Sequence, residues 1–287
     1  MSCLTSWPAL NRYRGGSAVG LSMKVRKVLT IAGSDSGAGA GIQADLKTFA
    51  ALGVYGTSAI TAITAQNTVG VTEIFALSPK LVAAQIDAVI GDIGAHALKT
   101  GMLANAGIIA IVAEKIREHR LKNFVIDPVM VAKSGDVLLR REAIAALRSA
   151  LIPLATVVTP NIPEAEELTG IRLTGAKETQ QAARRIIDMG ARSVVIKGGH
   201  LKGPATDLFF DGKTFRELRS PRIRTRHTHG TGCTFSAAIA AYLARGEEVP
   251  EAVSRAKKFI TQAIRQGFAV GTGHGPTHHF YDFWGKR

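Results

Sequence analysis

His229, Gly230, Thr231, Gly232, Cys233 and Thr234 form one run ahead of the apolar stretch from Phe235 to Leu243. Its two glycines allow backbone conformations closed to other residues, so successive amides can turn toward one point. The Ala-rich stretch behind them favours helix, and a helix start leaves its first four N–H groups without partners. Free amides at the positive end of a helix dipole make an anion site, most often for phosphate. Gly230, Thr231 and Gly232 are therefore the expected phosphate cradle. Cys233 falls where the same dipole favours a thiolate, a form able to accept a proton. A glycine turn that merely opens a buried helix has the same sequence, so the run gains meaning only from its company.

That company is spread along the chain. Lys197, followed by Gly198, Gly199 and His200, ends a β-branched run where an ammonium can meet phosphates or simply face water. Asn161 and Glu164 have the spacing of a capping box, and their oxygens can equally hold the waters of a magnesium ion. Asp127-Pro128 closes another apolar run. Gln66 supplies an amide that both donates and accepts, which suits a heteroaromatic edge as well as an ordinary turn. Lys133-Ser134-Gly135-Asp136 has the composition of a mobile lid. Two familiar phosphate loops fail on spacing. After Gly37 and Gly39, a dinucleotide fingerprint needs glycine where Ile42 stands, and a Walker A loop ending at Gly212-Lys213-Thr214 needs glycine where Asp207 stands. His274, His278 and His279 have no cysteine or carboxylate nearby to complete a tetrahedral metal set, and are expected to be structural.

The elements that must position these residues read as a parallel sheet covered by helices. Strands are expected at 28–32, 58–64, 97–101, 124–126, 156–158 and 193–196, with helices at 42–52, 79–90 and 106–119. Asp211-Gly212 predicts a tight hairpin between 208–210 and 214–215. The period-two alternation of Arg222 to Arg226 predicts an edge strand with a basic face. Polar residues at strand ends mark the usual place of a site in an open α/β sheet.

Of 287 residues, 46% are hydrophobic, ample for a core. No apolar run approaches the ~20 residues that span a bilayer. Two cysteines, Cys3 and Cys233, do not make a disulfide framework and fit a reducing cytoplasm. The net charge of +14 is concentrated. Residues 1–27 carry Arg12, Arg14, Lys24, Arg26 and Lys27 with no acid, and residues 213–226 carry six cations against Glu217. Neither segment interleaves aromatics as a single-strand binder does, so nucleic acid is not an expected partner. Residues 1–23 read as a disordered or non-native extension, and 24–287 as a single domain.

The ordered set of strings resembles the hydroxymethylpyrimidine/phosphomethylpyrimidine kinases of thiamine biosynthesis, within the ribokinase-like superfamily. The strings are Ile31-Ala32-Gly33-Ser34-Asp35, Ala40 through Lys47, Ala65-Gln66-Asn67-Thr68, Lys133 through Asp136, Thr159-Pro160-Asn161, Lys197 through His200 and Thr228 through Thr234. The resemblance implies a three-layer α/β/α fold with a mostly parallel sheet, ATP and Mg2+ as cofactors, and a pyrimidine substrate phosphorylated twice. It implies that Gln66 reads the pyrimidine edge, with Gly33 and Asp45 lining the same pocket, and that Asn161 and Glu164 organise magnesium. Lys197 would lie near the nucleotide phosphates. Lys133 is the candidate cation for the second transfer. The superfamily usually carries an aspartate base at the position of Cys233, and a cysteine there fits the pyrimidine kinase branch. A homodimer is the expected assembly, and a pyridoxal or pyridoxine kinase is the competing reading.

Overall fold

The computed structural model describes residues 24–130, 141–199 and 205–284. The expected extension at 1–23, Lys133 with its presumed lid, and His200 lie outside these residues. Among the described residues nine strands form one sheet in the order β3-β2-β1-β4-β5-β6-β7-β8-β9. β1 (Lys27–Asp35) pairs in parallel with both β2 (Tyr55–Gln66) and β4 (Ala97–Thr100). β5 (Phe124–Ile126), β6 (Val157–Val158) and β7 (Val194–Ile196) continue the parallel run. Antiparallel strands close both edges: β3 (Val71–Ala76) beside β2, and the hairpin β8 (Ala205–Phe210) and β9 (Phe215–Ser220) beside β7.

The central strands are apolar on both faces because both faces are covered. Leu29, Ile31, Leu98, Phe124, Ile126, Val158 and Ile196 point to one core, while Val28, Ala97, Val125, Val157 and Val195 point to the other. The first core is roofed by α2 (Pro79–Asp92), α3 (Ala106–Glu118), α4 (Arg141–Ala146), α5 (Ile162–Thr169) and α6 (Ala176–Asp188). The second is roofed by α1 (Gly41–Ala51), α7 (Thr231–Ala244) and α8 (Val249–Arg265). This is the expected three-layer α/β/α architecture.

Local chemistry sets the helix starts. Ser78 and Asn105 accept the Leu81 and Ile108 amides, and Pro79 supplies the fixed φ of a first helical position. Every residue of α7 from Thr234 to Ala244 is buried, and six alanine or serine side chains let it press closely on its neighbours.

Two edges differ from the sequence expectation. Arg222 to Arg226 is not a strand. Pro221 has no N–H to continue a ladder, and the chain after it turns toward the start of α7, with Ile223 facing inward. Conversely, β3 had no sequence signal because an edge strand exposed on both faces shows no burial pattern. No helix among the described residues is long and apolar enough to cross a membrane.

Candidate active site

The chain leaves β1 toward β2 on one side and β4 on the other, which opens a crevice beyond the carboxyl ends of the strands. Asp35, Gln66, Lys99, Gly101, Asp127, Asn161 and Lys197, all at or just beyond strand ends, line one cavity of about 1300 Å³ there. Gly33, Glu164, Gly230, Thr231, Gly232 and Cys233 line it too. The cavity is large enough for a nucleotide and a small acceptor together.

The two glycine loops lock against each other. Asp35, at the end of β1, accepts the amides of Gly37 at 2.8 Å, Gly39 at 3.1 Å and Ala40 at 2.8 Å. The same carboxylate meets His229 Nε2 at 2.8 Å. Burial pushes the Asp35 pKa up, but the His229 hydrogen bond and the loop amides outweigh it and hold it below the usual carboxylate value. Gly230 takes a φ of 76°, and a Cβ there would lie 1.8 Å from the Gly39 carbonyl oxygen. No other residue fits that approach.

Beyond Gly230 the first helical bond of α7 is Thr234 N–H to the Gly230 carbonyl. The Gly232 and Cys233 amides have no backbone acceptor among the described residues, as an anion hole requires. The C-terminal segment braces this turn from behind. His229 donates its amide to the Gly275 carbonyl, and the Thr234 hydroxyl meets His279 Nε2 at 2.9 Å. Burial pushes the His279 pKa down to about 3, so its ring is neutral. His278 packs edge-on against Phe268 and Trp284.

The state of Cys233 departs from the sequence expectation. Burial pushes its thiol pKa up to about 11, the Lys99 ammonium pulls it down, and the Asp45 and Asp127 carboxylates push it up again. Desolvation therefore overrides the helix terminus, and at neutral pH the resting residue is a thiol.

Asp45 also departs from its expected place. It is fully buried, does not line the cavity, and pairs with Lys99 Nζ at 2.9 Å while accepting from Thr30 Oγ1 at 2.6 Å. It reaches the cavity only through Lys99, which does line it.

On the opposite wall Lys197 Nζ lies 2.9 Å from Asp127 Oδ1 and 3.9 Å from Glu164 Oε2. Asn161 and Glu164 make the capping box of α5: Asn161 Oδ1 accepts the Glu164 amide at 2.9 Å, and Glu164 Oε2 accepts the Asn161 amide at 2.7 Å. The cap thus fixes the carboxylate at the cavity wall. Burial raises the Glu164 pKa, Lys197 lowers it and Asp127 raises it, for a net value of about 7. Once Glu164 ionises, two carboxylates face one ammonium, and the surplus negative charge suits an oxygen-coordinated divalent cation.

Sequence reasoning missed Ile223, Ile260 and Ile264, which add apolar lining to the cavity that Lys257 and Asp207 also line. Lys257 Nζ meets Asp207 Oδ2 at 2.7 Å, and Asp207 Oδ1 accepts the Gly198 amide at 3.0 Å. The i, i+4 spacing of Ile260 and Ile264 is that of any helix core face, so it carries no signal of a site. Asp35 and His229 each lie in a glycine-loop motif, yet nothing in their spacing, 194 residues apart, signals that they touch.

A family model described as phosphomethylpyrimidine kinase matches residues 35–278. The chain is 50% identical over 260 residues to the hydroxymethylpyrimidine/phosphomethylpyrimidine kinase of Bacillus subtilis, covering 90% of this chain and 96% of that protein. It is 54% identical over 253 residues to the thiamine biosynthesis bifunctional protein ThiED of Geobacter sulfurreducens, covering 88% of this chain. It spans only 52% of that longer relative. Among solved structures, an ADP complex of Bacillus subtilis pyridoxal kinase aligns with a TM-score of 0.84 at 48% identity, over 89% of this chain and 97% of that one.

Proposed function

We propose, for a chain that belongs to the phosphomethylpyrimidine kinase family, that it is an ATP-dependent kinase of thiamine biosynthesis. It phosphorylates 4-amino-5-hydroxymethyl-2-methylpyrimidine on the hydroxymethyl oxygen and then phosphorylates the monophosphate to the diphosphate. The observation that carries this reading is the single cavity. Gln66 and Gly33, from β2 and β1, Lys197, just beyond β7, and Cys233, in the first turn of α7, all line it.

In this reading the apolar lining from Ile223, Ile260 and Ile264 would take the flat ring of the nucleotide and Lys197 its phosphates. Phosphoryl transfer asks a protein mainly for positioning and for charge stabilisation at the transferring group. The amides of Gly232 and Cys233, without a backbone acceptor among the described residues, and the Lys197 ammonium would supply that here. Asn161, Glu164 and Asp127 would hold Mg2+, whose chemistry is to neutralise charge on the phosphate oxygens.

Cys233 is the proposed acceptor of the hydroxyl proton in the first transfer. With its thiol pKa near 11, it acts through a small thiolate fraction that Lys99 stabilises. The second transfer needs no strong base, because a phosphate oxygen is already deprotonated. It does need further positive charge beside an anionic acceptor, and Lys133 is the proposed source. A homodimer belongs to this reading, supported by the exposed apolar residues Ile63, Ile74 and Phe75 on β2 and β3. Cytoplasmic location is supported by cysteine usage.

Gln66 is the proposed reader of the ring. Gln66→Leu is expected to weaken binding of the aminopyrimidine about ten-fold or more while leaving binding of a non-hydrolysable ATP analogue unchanged, because a buried ring edge loses its partner at a cost of ~1–3 kcal/mol. Calorimetric titration of each ligand checks this, and equal weakening of both would assign Gln66 to the fold instead. The wider reading is tested by initial rates with ATP and Mg2+ on the hydroxymethyl aminopyrimidine and on pyridoxal. A higher kcat/KM for pyridoxal would favour the competing assignment, to which the solved pyridoxal kinase relative gives its weight.

A further inference from the structure

The two ends of the Gln66 carboxamide have the same shape and opposite hydrogen-bonding character, so their neighbours decide which end points where. One end stands 3.4 Å from His229 Nε2 and the other 3.2 Å from Thr64 Oγ1. His229 Nε2 is already 2.8 Å from Asp35 Oδ2. That carboxylate only accepts, so the imidazole nitrogen carries the hydrogen and donates. Thr64 has a single hydroxyl hydrogen, and the Ser34 carbonyl oxygen takes it at 2.9 Å. Toward Gln66 the hydroxyl can therefore only accept. With the amide nitrogen facing the imidazole, as the structure places it, donor opposes donor at His229 and acceptor opposes acceptor at Thr64. A half-turn of the amide removes both conflicts: its nitrogen then donates to Thr64 Oγ1, and its oxygen lies against the positive N–H edge of His229, whose one hydrogen stays with Asp35.

We propose that Asp35 and His229 act as positioning residues that hold the Gln66 oxygen toward His229 and its nitrogen toward Thr64, and so set the order of donor and acceptor shown to the ring edge. The proposal rests on the kinase reading above and adds how the site chooses its ring. An aminopyrimidine edge presents a ring nitrogen that accepts beside an amino group that donates. The corresponding 4-oxo ring presents a donating ring N–H beside an accepting carbonyl. A locked amide matches one order, whereas an unlocked amide rotates to match either.

Packing leaves the imidazole little freedom. A Cβ on Gly39 would lie 2.1 Å from His229 Cδ2. The His229 amide donates to the Gly275 carbonyl, and the His229 carbonyl accepts from Thr277. The ring is wedged between the first glycine loop and the C-terminal segment, with Asp35 fixing its hydrogen.

The test is the ratio of kcat/KM for 4-amino-5-hydroxymethyl-2-methylpyrimidine to that for its 4-oxo analogue. In His229→Ala this ratio is expected to fall about ten-fold or more, as a site loses discrimination when its buried partner becomes free to turn. His229→Gln restores a donor that can reach Asp35 and Gln66, and is expected to recover most of the ratio. Thr64→Val removes the acceptor at the other end without changing the side-chain shape, and should erode the ratio in the same direction even if the His229 variants fail to fold. Equal losses on both acceptors with the ratio kept, in His229→Ala or in Thr64→Val, would overturn the proposal. Failure of the wild-type chain to phosphorylate the aminopyrimidine at all would instead overturn the kinase reading on which it rests.

Discussion

Cys233→Ala is expected to slow the first phosphorylation by ~10²–10⁴-fold, the usual worth of a positioned general base, while aminopyrimidine affinity stays within a few-fold. The second phosphorylation should fall far less, because its acceptor oxygen carries no proton to remove. Lys133→Ala should show the reverse bias. The burial of Cys233 adds a pH signature. With the thiol pKa near 11, the thiolate fraction rises about ten-fold for each pH unit below that value. The first-step rate should therefore climb through the alkaline range in the wild type. Cys233→Asp places a group already ionised at neutral pH in the same position, so some activity should return with a flat alkaline profile. Rates for the two half-reactions, taken separately from pH 7 to 10, check this; near wild-type first-step turnover in the alanine variant would remove Cys233 from the chemistry.

Lys99→Met is expected to destabilise the fold by about 3–5 kcal/mol, the cost of leaving a buried charge without its partner. Lys99 and Asp45 are both fully buried and meet at 2.9 Å. Burial alone would lower the Lys99 pKa, but the Asp45 charge beside it raises it, so the ammonium persists inside the protein. The double variant Lys99→Met with Asp45→Leu should regain most of the stability, since a buried ion pair is seldom worth more than apolar side chains of similar volume. It should not regain turnover, because the charge that favours the Cys233 thiolate is gone. Denaturant midpoints and first-step rates on the same three proteins separate the two roles. A single variant as stable as the wild type would contradict the account of this pair.

Much of this arrangement is visible in the sequence, for a physical reason. Val28 to Ala32, Phe124 to Ile126 and Ser193 to Ile196 are short, β-branched or aromatic and bounded by polar residues, so burial on both faces writes them plainly. Asn161 with Glu164 reads two ways in sequence, as a helix cap or as ion ligands. In the structure the cap is present, and it is what fixes the carboxylate in the cavity. What the sequence hid depends on distance through space. Asp45 sits in a string that resembles a substrate-binding motif, yet its partner Lys99 lies 54 residues away and seals it from the cavity. The helix-terminal position of Cys233 is a local fact that promises a thiolate, whereas its desolvation comes from the surrounding fold. Arg222 to Arg226 shows the limit of periodicity, because alternation without a neighbouring strand to pair with makes no sheet.

One site is expected to carry out both phosphorylations. The direct test incubates the purified chain alone with 4-amino-5-hydroxymethyl-2-methylpyrimidine, ATP and Mg2+ and follows all pyrimidine species by mass spectrometry over time. The monophosphate should rise and then fall as diphosphate accumulates, with added unphosphorylated pyrimidine slowing the second step competitively. A reaction that stops at the monophosphate, or a second step indifferent to the first substrate, would contradict a shared site.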